Sequence, residues 1–251
     1  TEGKGRLPAI EEIVERIEDI FTEKDLRSER ILVTAGPTTE YIDPVRCITN
    51  RSSGKMGYAI AKMARRRGAE VVLVTGETSI PVPRADITVE RVVTACEMRD
   101  AVMERHRDCT VVIKAAAVAD FRCRNENCQK IKKKGDTSLM MIELEKNPDI
   151  IAEVCKVKGD RIVVGFAAET ENIIEHAIDK LRRKDLDLIV ANNVAQQGIG
   201  FGSEENEVTI IDHSGATKQV PRLSKDEIAH IILDSVKKLI KKRRRSAEGR
   251  S

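Results

Sequence analysis

The sequence holds no apolar run approaching the roughly 18 residues that a membrane-spanning helix needs, which excludes an integral membrane helix. No secretory hydrophobic segment follows Thr1 either, so the chain is expected in the cytoplasm. Starting on Thr1 instead of Met is expected of a fragment or a processed product. The six cysteines, at 47, 96, 109, 123, 128 and 155, form no CxxC pair. Their tightest spacing, Cys123 to Cys128, suits no common zinc knuckle. Without a secretion signal they read as reduced thiols, not a disulfide framework. No P-loop, HExxH or nucleophile elbow occurs, and the histidines at 106, 176, 213 and 230 have no Ser or Cys partner in a motif.

What is present is a soluble, globular composition: 41% apolar and 34% charged residues over 251 positions, enough for one domain with a short appended segment. The net charge of +3 is misleading. Lys237 to Ser251 carries eight Lys/Arg and one acidic residue, so its +7 leaves the body at −4. A body of that sign argues against a nucleic-acid-binding face. The tail itself reads as solvated and disordered from residue 243, with a nonspecific anchor to nucleic acid or anionic lipid as the other reading.

Along the chain, Ile10, Ile13, Val14, Ile17, Ile20 and Phe21 recur at helical spacing after Pro8. A charged linker follows. Short apolar runs at Ile31–Ala35, Val71–Thr75, Thr110–Ala115, Arg161–Phe166 and Leu186–Ala191 then alternate with helical stretches. Those helices are Met56–Arg67, stopped by Gly68, then about Glu97–His106, one opened by Asn147 as N-cap with Pro148 first, and Glu171–Lys184. Continuous β-branched runs alternating with helices predict a parallel sheet covered on both faces. Two pieces break the alternation: Lys130–Lys134 with Leu139–Lys146 around Gly135-Asp136, and Glu207–Asp212 with Thr217–Val220, each predicting a hairpin. A last helix is predicted from Ser224 to about Lys242.

Four groups of residues suggest chemistry. The first follows the first strand: Ala35-Gly-Pro-Thr-Thr, Asp43-Pro-Val-Arg46 and Asn50-Arg-Ser-Ser-Gly-Lys-Met-Gly57. Ligands of open α/β sheets bind beyond the carboxyl ends of the strands. Ser52, Ser53 and Gly54 precede a helix, whose N–H groups can hold a phosphate, and Gly54 and Gly57 allow close backbone approach. The ordinary alternative is a plain cap, but a strand-to-helix connection of roughly 20 residues is far longer than usual and speaks for function. The second group is Lys114-Ala-Ala-Ala-Val-Ala-Asp120-Phe, where small residues leave room for a ligand. Asp120 could accept from a sugar hydroxyl, hold a metal or cap a helix. The third is Lys130-Ile-Lys-Lys-Lys134, either a solvated charge run or a lysine-bearing flap that clamps a triphosphate. The fourth is Asn147-Pro148-Asp149-Ile150, Phe166-Ala-Ala-Glu169, Lys180 and Lys184, each with an ordinary role as cap, core or solvated face.

Together these stretches, with Lys-Asn-Pro-Asp-Ile150 and Val-Gly-Phe-Ala-Ala-Glu-Thr170, resemble phosphopantothenate–cysteine ligases over about residues 28–242. More narrowly, they are similar to the ligase half of the bifunctional coenzyme A biosynthesis protein. Residues 1–27 look like a helix and linker from a preceding decarboxylase half, and residues 243–251 a basic tail. The resemblance implies an α/β, Rossmann-like doubly wound, mostly parallel sheet with a hairpin flap, working as a homodimer. It implies 4′-phosphopantothenate, L-cysteine and CTP as substrates, with Mg²⁺, no flavin in this piece, no nucleic acid and no membrane. Carried over by motif, Lys114, Asp120, Lys130, Asn147, Pro148, Asp149, Ile150, Phe166, Lys180 and Lys184 would meet the nucleotide, and Ala116 and Ala117 would line its pocket. Asn50 would hold an acyl-cytidylate and Arg46 would grip the substrate's charged end; which residues meet the metal is left open. The segment Phe121 to Gln129 departs from the pattern, lacking the Pro common before the lysine. The alternative from the βα alternation alone is a Rossmann-type NAD(P)-dependent oxidoreductase, opposed by the missing GxGxxG and by Val74-Thr-Gly76 where an acidic residue would stand. A non-catalytic module that binds through the basic tail is the third reading.

Overall fold

The computed structural model describes residues 9–83, 86–132, 140–169, 171–193 and 202–248. Six parallel strands form the heart of the sheet: β1 (Arg30–Ala35), β4 (Glu70–Thr75), β5 (Thr88–Arg91), β6 (Val111–Lys114), β9 (Ile162–Glu169) and β10 (Leu188–Asn193). β11 (Glu205–Asp212) and β12 (Thr217–Ser224) add an antiparallel hairpin, giving the order β12-β11-β10-β9-β6-β1-β4-β5. Counting the parallel strands alone, this is the 3-2-1-4-5-6 order of a Rossmann-like doubly wound sheet, whose direction of winding reverses between β1 and β6.

Alternation along the strands explains the two faces. Ile31, Val33, Val111, Ile113, Ile162 and Val164 join one core with α2 (Lys55–Arg66) and α6 (Lys225–Glu248). Leu32, Val112, Val163 and Ile189 join the other, with α3 (Ala95–Arg105), α4 (Ile150–Lys156) and α5 (Ile173–Arg183). Strands buried on both faces are what continuous apolar runs require. Gly57 fits α2 against β1: a Cβ there would meet the Ala35 Cβ at 2.6 Å. At the helix's other end Gly68 takes a left-handed φ of +93° and stops it.

Several expectations change. The long connection after β1 is not loop but a second hairpin, β2 (Thr39–Asp43) and β3 (Arg46–Thr49). The flap hairpin pairs β7 (Phe121–Cys123) with β8 (Leu144–Lys146), so Lys130 to Lys132 stand in the connection and not on a strand; residues 133–139 lie outside the described ones. Cross-strand pairs such as Arg122 with Glu145 (2.7 Å) favour that register. Asn147 does not cap α4. Asp149 does, accepting from the Ala152 amide (3.2 Å), because Asn147 donates to Ala119 O (2.8 Å). The basic run expected to be disordered from residue 243 continues α6 to Glu248. Arg243 bonds the Asp160 and Arg161 carbonyls and pairs with Asp187, and Arg244 pairs with buried Glu29.

α1 (Ile10–Phe21) forms as expected, but its polar side faces the body, through Glu18 to Arg66 (2.7 Å). Its apolar stripe points outward, with Ile10 75% and Phe21 83% exposed. Among the described residues no helix is long and apolar enough to cross a membrane.

α2 and α6 are locked at Arg67, a buried guanidinium that holds Asp25 bidentately (2.8 and 2.9 Å) and also reaches Asp234 and the His230 carbonyl. Arg67, opposed by burial but helped by Lys237, holds the Asp25 carboxyl down at about 2. A depressed carboxylate contributes stability above its unfolded pKa and loses it as pH falls through the folded value. The contribution, about 2 kcal/mol, should therefore fade between pH 4 and 2. Asp25→Ala should cost about 3 kcal/mol at pH 7 by leaving Arg67 under-compensated. Urea titration at pH 7 and pH 3 checks both, since the wild-type advantage should shrink at the lower pH.

Candidate active site

The β1 and β6 ladders continue past their ends. Ala115 N donates to Thr34 O (3.2 Å), Ala117 N to Gly36 O (2.9 Å), Thr38 N to Ala117 O (3.3 Å) and Ala119 N to the Thr38 hydroxyl (3.0 Å). This stitching holds the segment from Ala115 to Ala119 as a fixed wall. Next to it the chain after β1 also packs tightly on the end of β4: a Cβ on Gly76 would lie 1.7 Å from Pro37 O.

Beyond that wall, at the carboxyl ends of β6 and β9, lies a cleft of about 400 Å³. It gathers Lys114, Asp120, Asn147, Pro148, Asp149, Ile150, Phe166, Lys180 and Lys184 from five separate segments. Ala116 is buried in the wall and Ala117 follows it, and neither belongs to the cleft lining. Lys180 Nζ donates to Phe166 O (2.9 Å), and Lys184 pairs with Asp149 (2.7 Å). Burial alone would raise the Asp149 carboxyl, but the Lys184 ammonium and the Ala152 amide outweigh it and hold it low. Asp120 is exposed, and its backbone carbonyl accepts from Asn147 N (2.9 Å); it caps no helix. Burial, with Lys180 and Lys184 nearby, lowers Lys114 to about 8. Lys146 also lines the cleft, a residue whose only sequence signal was its place beside the Asn-Pro-Asp stretch.

The other expected residues stand around this cleft and not in it. Asn50 donates through Nδ2 to Val118 O (3.0 Å) and Ala117 O (3.3 Å), which brings the loop after β3 to the cleft's rim. Ser52, Ser53 and Gly54 precede α2, with Gly54 at a left-handed φ of +75°, and do not line the cleft. Arg46 is committed to Asp43 (2.7 Å) and to Ile131 O (3.4 Å). Exposed Lys130 is the neighbour of Ile131 and lies outside the cleft lining.

Asp43 is the residue that sequence reading passed over, although its motif was noted. It is fully buried and accepts from Val45 N (2.8 Å), Arg46 N (2.9 Å), Arg46 Nη1 and Ile131 N (3.1 Å). Burial would raise its carboxyl; the three amides and the guanidinium together keep it below the usual carboxylate range. The latch ties the lysine-bearing connection to the β2–β3 hairpin.

Residues 26–240 match the family described as the DNA/pantothenate metabolism flavoprotein C-terminal domain. The chain belongs to this family. The coenzyme A biosynthesis bifunctional protein CoaBC of Bacillus subtilis is 43% identical over 242 residues, covering 95% of this chain and 59% of that protein. The chain thus spans about three-fifths of that relative. A crystal structure of the C-terminal domain of a CoaBC protein superposes with a TM-score of 0.75 at 40% identity, covering 88% of this chain and all of that one. A Cab2 variant in complex with phosphopantothenate-cysteine shares the fold at TM-score 0.70 and 17% identity, with 98% and 97% covered. The oxidoreductase alternative is not favoured. The family is a different one, and the β2–β3 hairpin stands where a short glycine-rich turn would be.

Asp43→Ala should free the latch without touching the cleft. The amide of Ile131 should exchange about tenfold faster or more, while the amides of β6 and β9 keep wild-type protection, measured by hydrogen exchange.

Proposed function

We propose that this chain is a coenzyme A biosynthesis ligase that joins 4′-phosphopantothenate to L-cysteine through an acyl-cytidylate, consuming CTP. One observation carries the reading: residues nominated from separated motifs line a single cleft with four lysines, Lys114, Lys146, Lys180 and Lys184, against two carboxylates, Asp120 and Asp149. Such an excess of ammonium suits a polyphosphate. Membership of the family and the CoaBC relatives support the same reading.

In the first step the substrate carboxylate oxygen attacks the α-phosphorus of CTP and pyrophosphate leaves, giving the mixed anhydride. In the second, the cysteine amine attacks the acyl carbon, loses its proton and expels CMP. Neither step needs an activated side-chain nucleophile. Positioning and cationic stabilisation of the phosphates suffice, which fits the lack of a Ser-His or Cys-His pair in any motif. Asp120 would accept from the ribose, while the Asn147–Ile150 segment, Phe166, Lys180, Lys184, Ala116 and Ala117 would enclose the nucleoside. Ser52, Ser53 and Gly54 would take a phosphate at the start of α2. Asn50, at the rim, would hold the acyl-cytidylate for the second step.

Arg46 and Lys130 would act from outside the cleft, on substrate brought to its mouth, after the arm moves or across to a second copy. Exposed apolar side chains on the two hairpins, Val45 and Tyr41 on one and Phe121 and Leu144 on the other, favour a homodimer. Sedimentation velocity of the chain should return twice the 28.0 kDa monomer mass, and a single monomer species at all concentrations would remove this part. Among the described residues no three metal-ligating side chains cluster. Mg²⁺ would enter with the triphosphate, held by phosphate oxygens and water together with one or two carboxylates.

Pyrophosphate release from CTP should require 4′-phosphopantothenate, and CTP with Mg²⁺ should raise the melting temperature where NAD(P) does not. Lys130→Ala should lose at least about 99% of turnover with an unchanged melting temperature. Asn50→Asp should still release pyrophosphate but pass little product to cysteine. Full turnover in Lys130→Ala, or stabilisation by NAD(P) alone, would refute the assignment.

A further inference from the structure

Of the cleft's lysines, Lys114 differs in its commitments. Lys180 is bonded to Phe166 O and Lys184 is paired with Asp149. Lys146, at the end of β8, is exposed. Lys114 is half-buried at the last position of β6, in register with Thr34 of β1 and Gly165 of β9. Among the described residues, none accepts a hydrogen bond from its Nζ. Gly165 puts no side chain beside it, and the space a Cβ there would enter is bounded by Leu186 and Ile151. Lys114 therefore extends on the Val112 face of the sheet, toward the cleft that α4 and α5 flank.

The charges that face it are Lys180 and Lys184 from α5, Asp149 ahead of α4, and Asp120 from the connection after β6. One of those carboxylates is spent on Lys184, and the other is exposed to solvent. The cleft's own residues therefore keep a third ammonium only against burial and against two neighbours of the same sign. A bound anion or acceptor oxygen would reverse that balance.

We propose that Lys114 is the cleft's reserved donor: it takes an acceptor oxygen of the bound nucleotide, and nucleotide binding draws a proton onto its amine. This rests on the nucleotide reading of the cleft and adds to it a distinct role for Lys114 and a proton. Burial, Lys180 and Lys184 already place the free amine near neutrality, at about 8. A bound acceptor raises that value. By linkage, affinity is then greatest below pH 8 and declines about tenfold per pH unit above it, until the complex itself loses the proton. Phosphate groups with a second ionisation near 6 do not contribute in this range.

Calorimetry of the chain with CTP and Mg²⁺ between pH 7.5 and 9.5, in two buffers of unlike ionisation enthalpy, tests the proposal. Net uptake approaching one proton at pH 9, with the tenfold slope, is expected. Lys114→Met should flatten the profile, abolish the buffer dependence and bind about tenfold or more weakly at pH 7.5. Lys114→Arg should flatten the profile yet keep the affinity. A CMP, CDP and CTP series locates the acceptor: a Lys114→Met loss that grows with phosphate number puts it on phosphate, and an equal loss puts it on the base or ribose. A flat wild-type profile without proton uptake, or a slope that survives in Lys114→Met, overturns the proposal and leaves the nucleotide reading standing. No nucleotide binding at any pH defeats both.

Discussion

The site depends on a parallel ladder that does not stop where its strands do. Main-chain bonds from Thr34, Gly36 and Thr38 carry β1 alongside Ala115 to Ala119, and the Thr38 hydroxyl accepts from the Ala119 amide. An unpaired buried amide costs about 1–3 kcal/mol, so several satisfied in succession fix this wall more firmly than an ordinary loop. Two neighbouring segments are tied to it: Asn50 bonds the Ala117 and Val118 carbonyls, and Asn147 the Ala119 carbonyl.

The cations around the cleft differ in their partners. Lys180 and Lys184 are spent internally and Lys114 is kept back. Arg46 is committed elsewhere, to a carboxylate that also holds the Ile131 amide. A buried carboxylate that accepts from three amides and a guanidinium is satisfied in full, the condition under which a buried charge specifies a conformation instead of merely costing energy. Asp43 thereby couples the hairpin after β1 to the connection that bears Lys130, two parts of the chain about 90 residues apart.

Much of this was legible in the residues. The strand runs fell within three residues of the observed strands at each end, because continuous burial on both faces leaves a continuous apolar signature. Nine of the residues named for the nucleotide line one cleft, whereas Ala116, Ala117 and Lys130 do not. What was not legible depended on long-range partners. The β2–β3 hairpin has no Asn-Gly or similar turn signal, only Asp43-Pro-Val-Arg46, so it read as loop. Asn147 had the right identity for a cap, but the Ala119 carbonyl competed for it, and no local pattern reveals that competitor. The last basic turns looked like a solvated tail because Asp187 and Glu29, their partners, lie far away in sequence.

Those last turns have a mechanical consequence. Arg243 reaches the entry to β9 and the start of β10, and Arg244 reaches the entry to β1. α6 is therefore a strap drawn across the amino ends of the central strands, with Arg67, Asp25 and Lys237 as a second buckle midway. A sheet fastened at one rim can give only at the other. Whatever rearrangement a ligand demands must be absorbed by the loops and hairpins at the carboxyl rim, where the cleft opens.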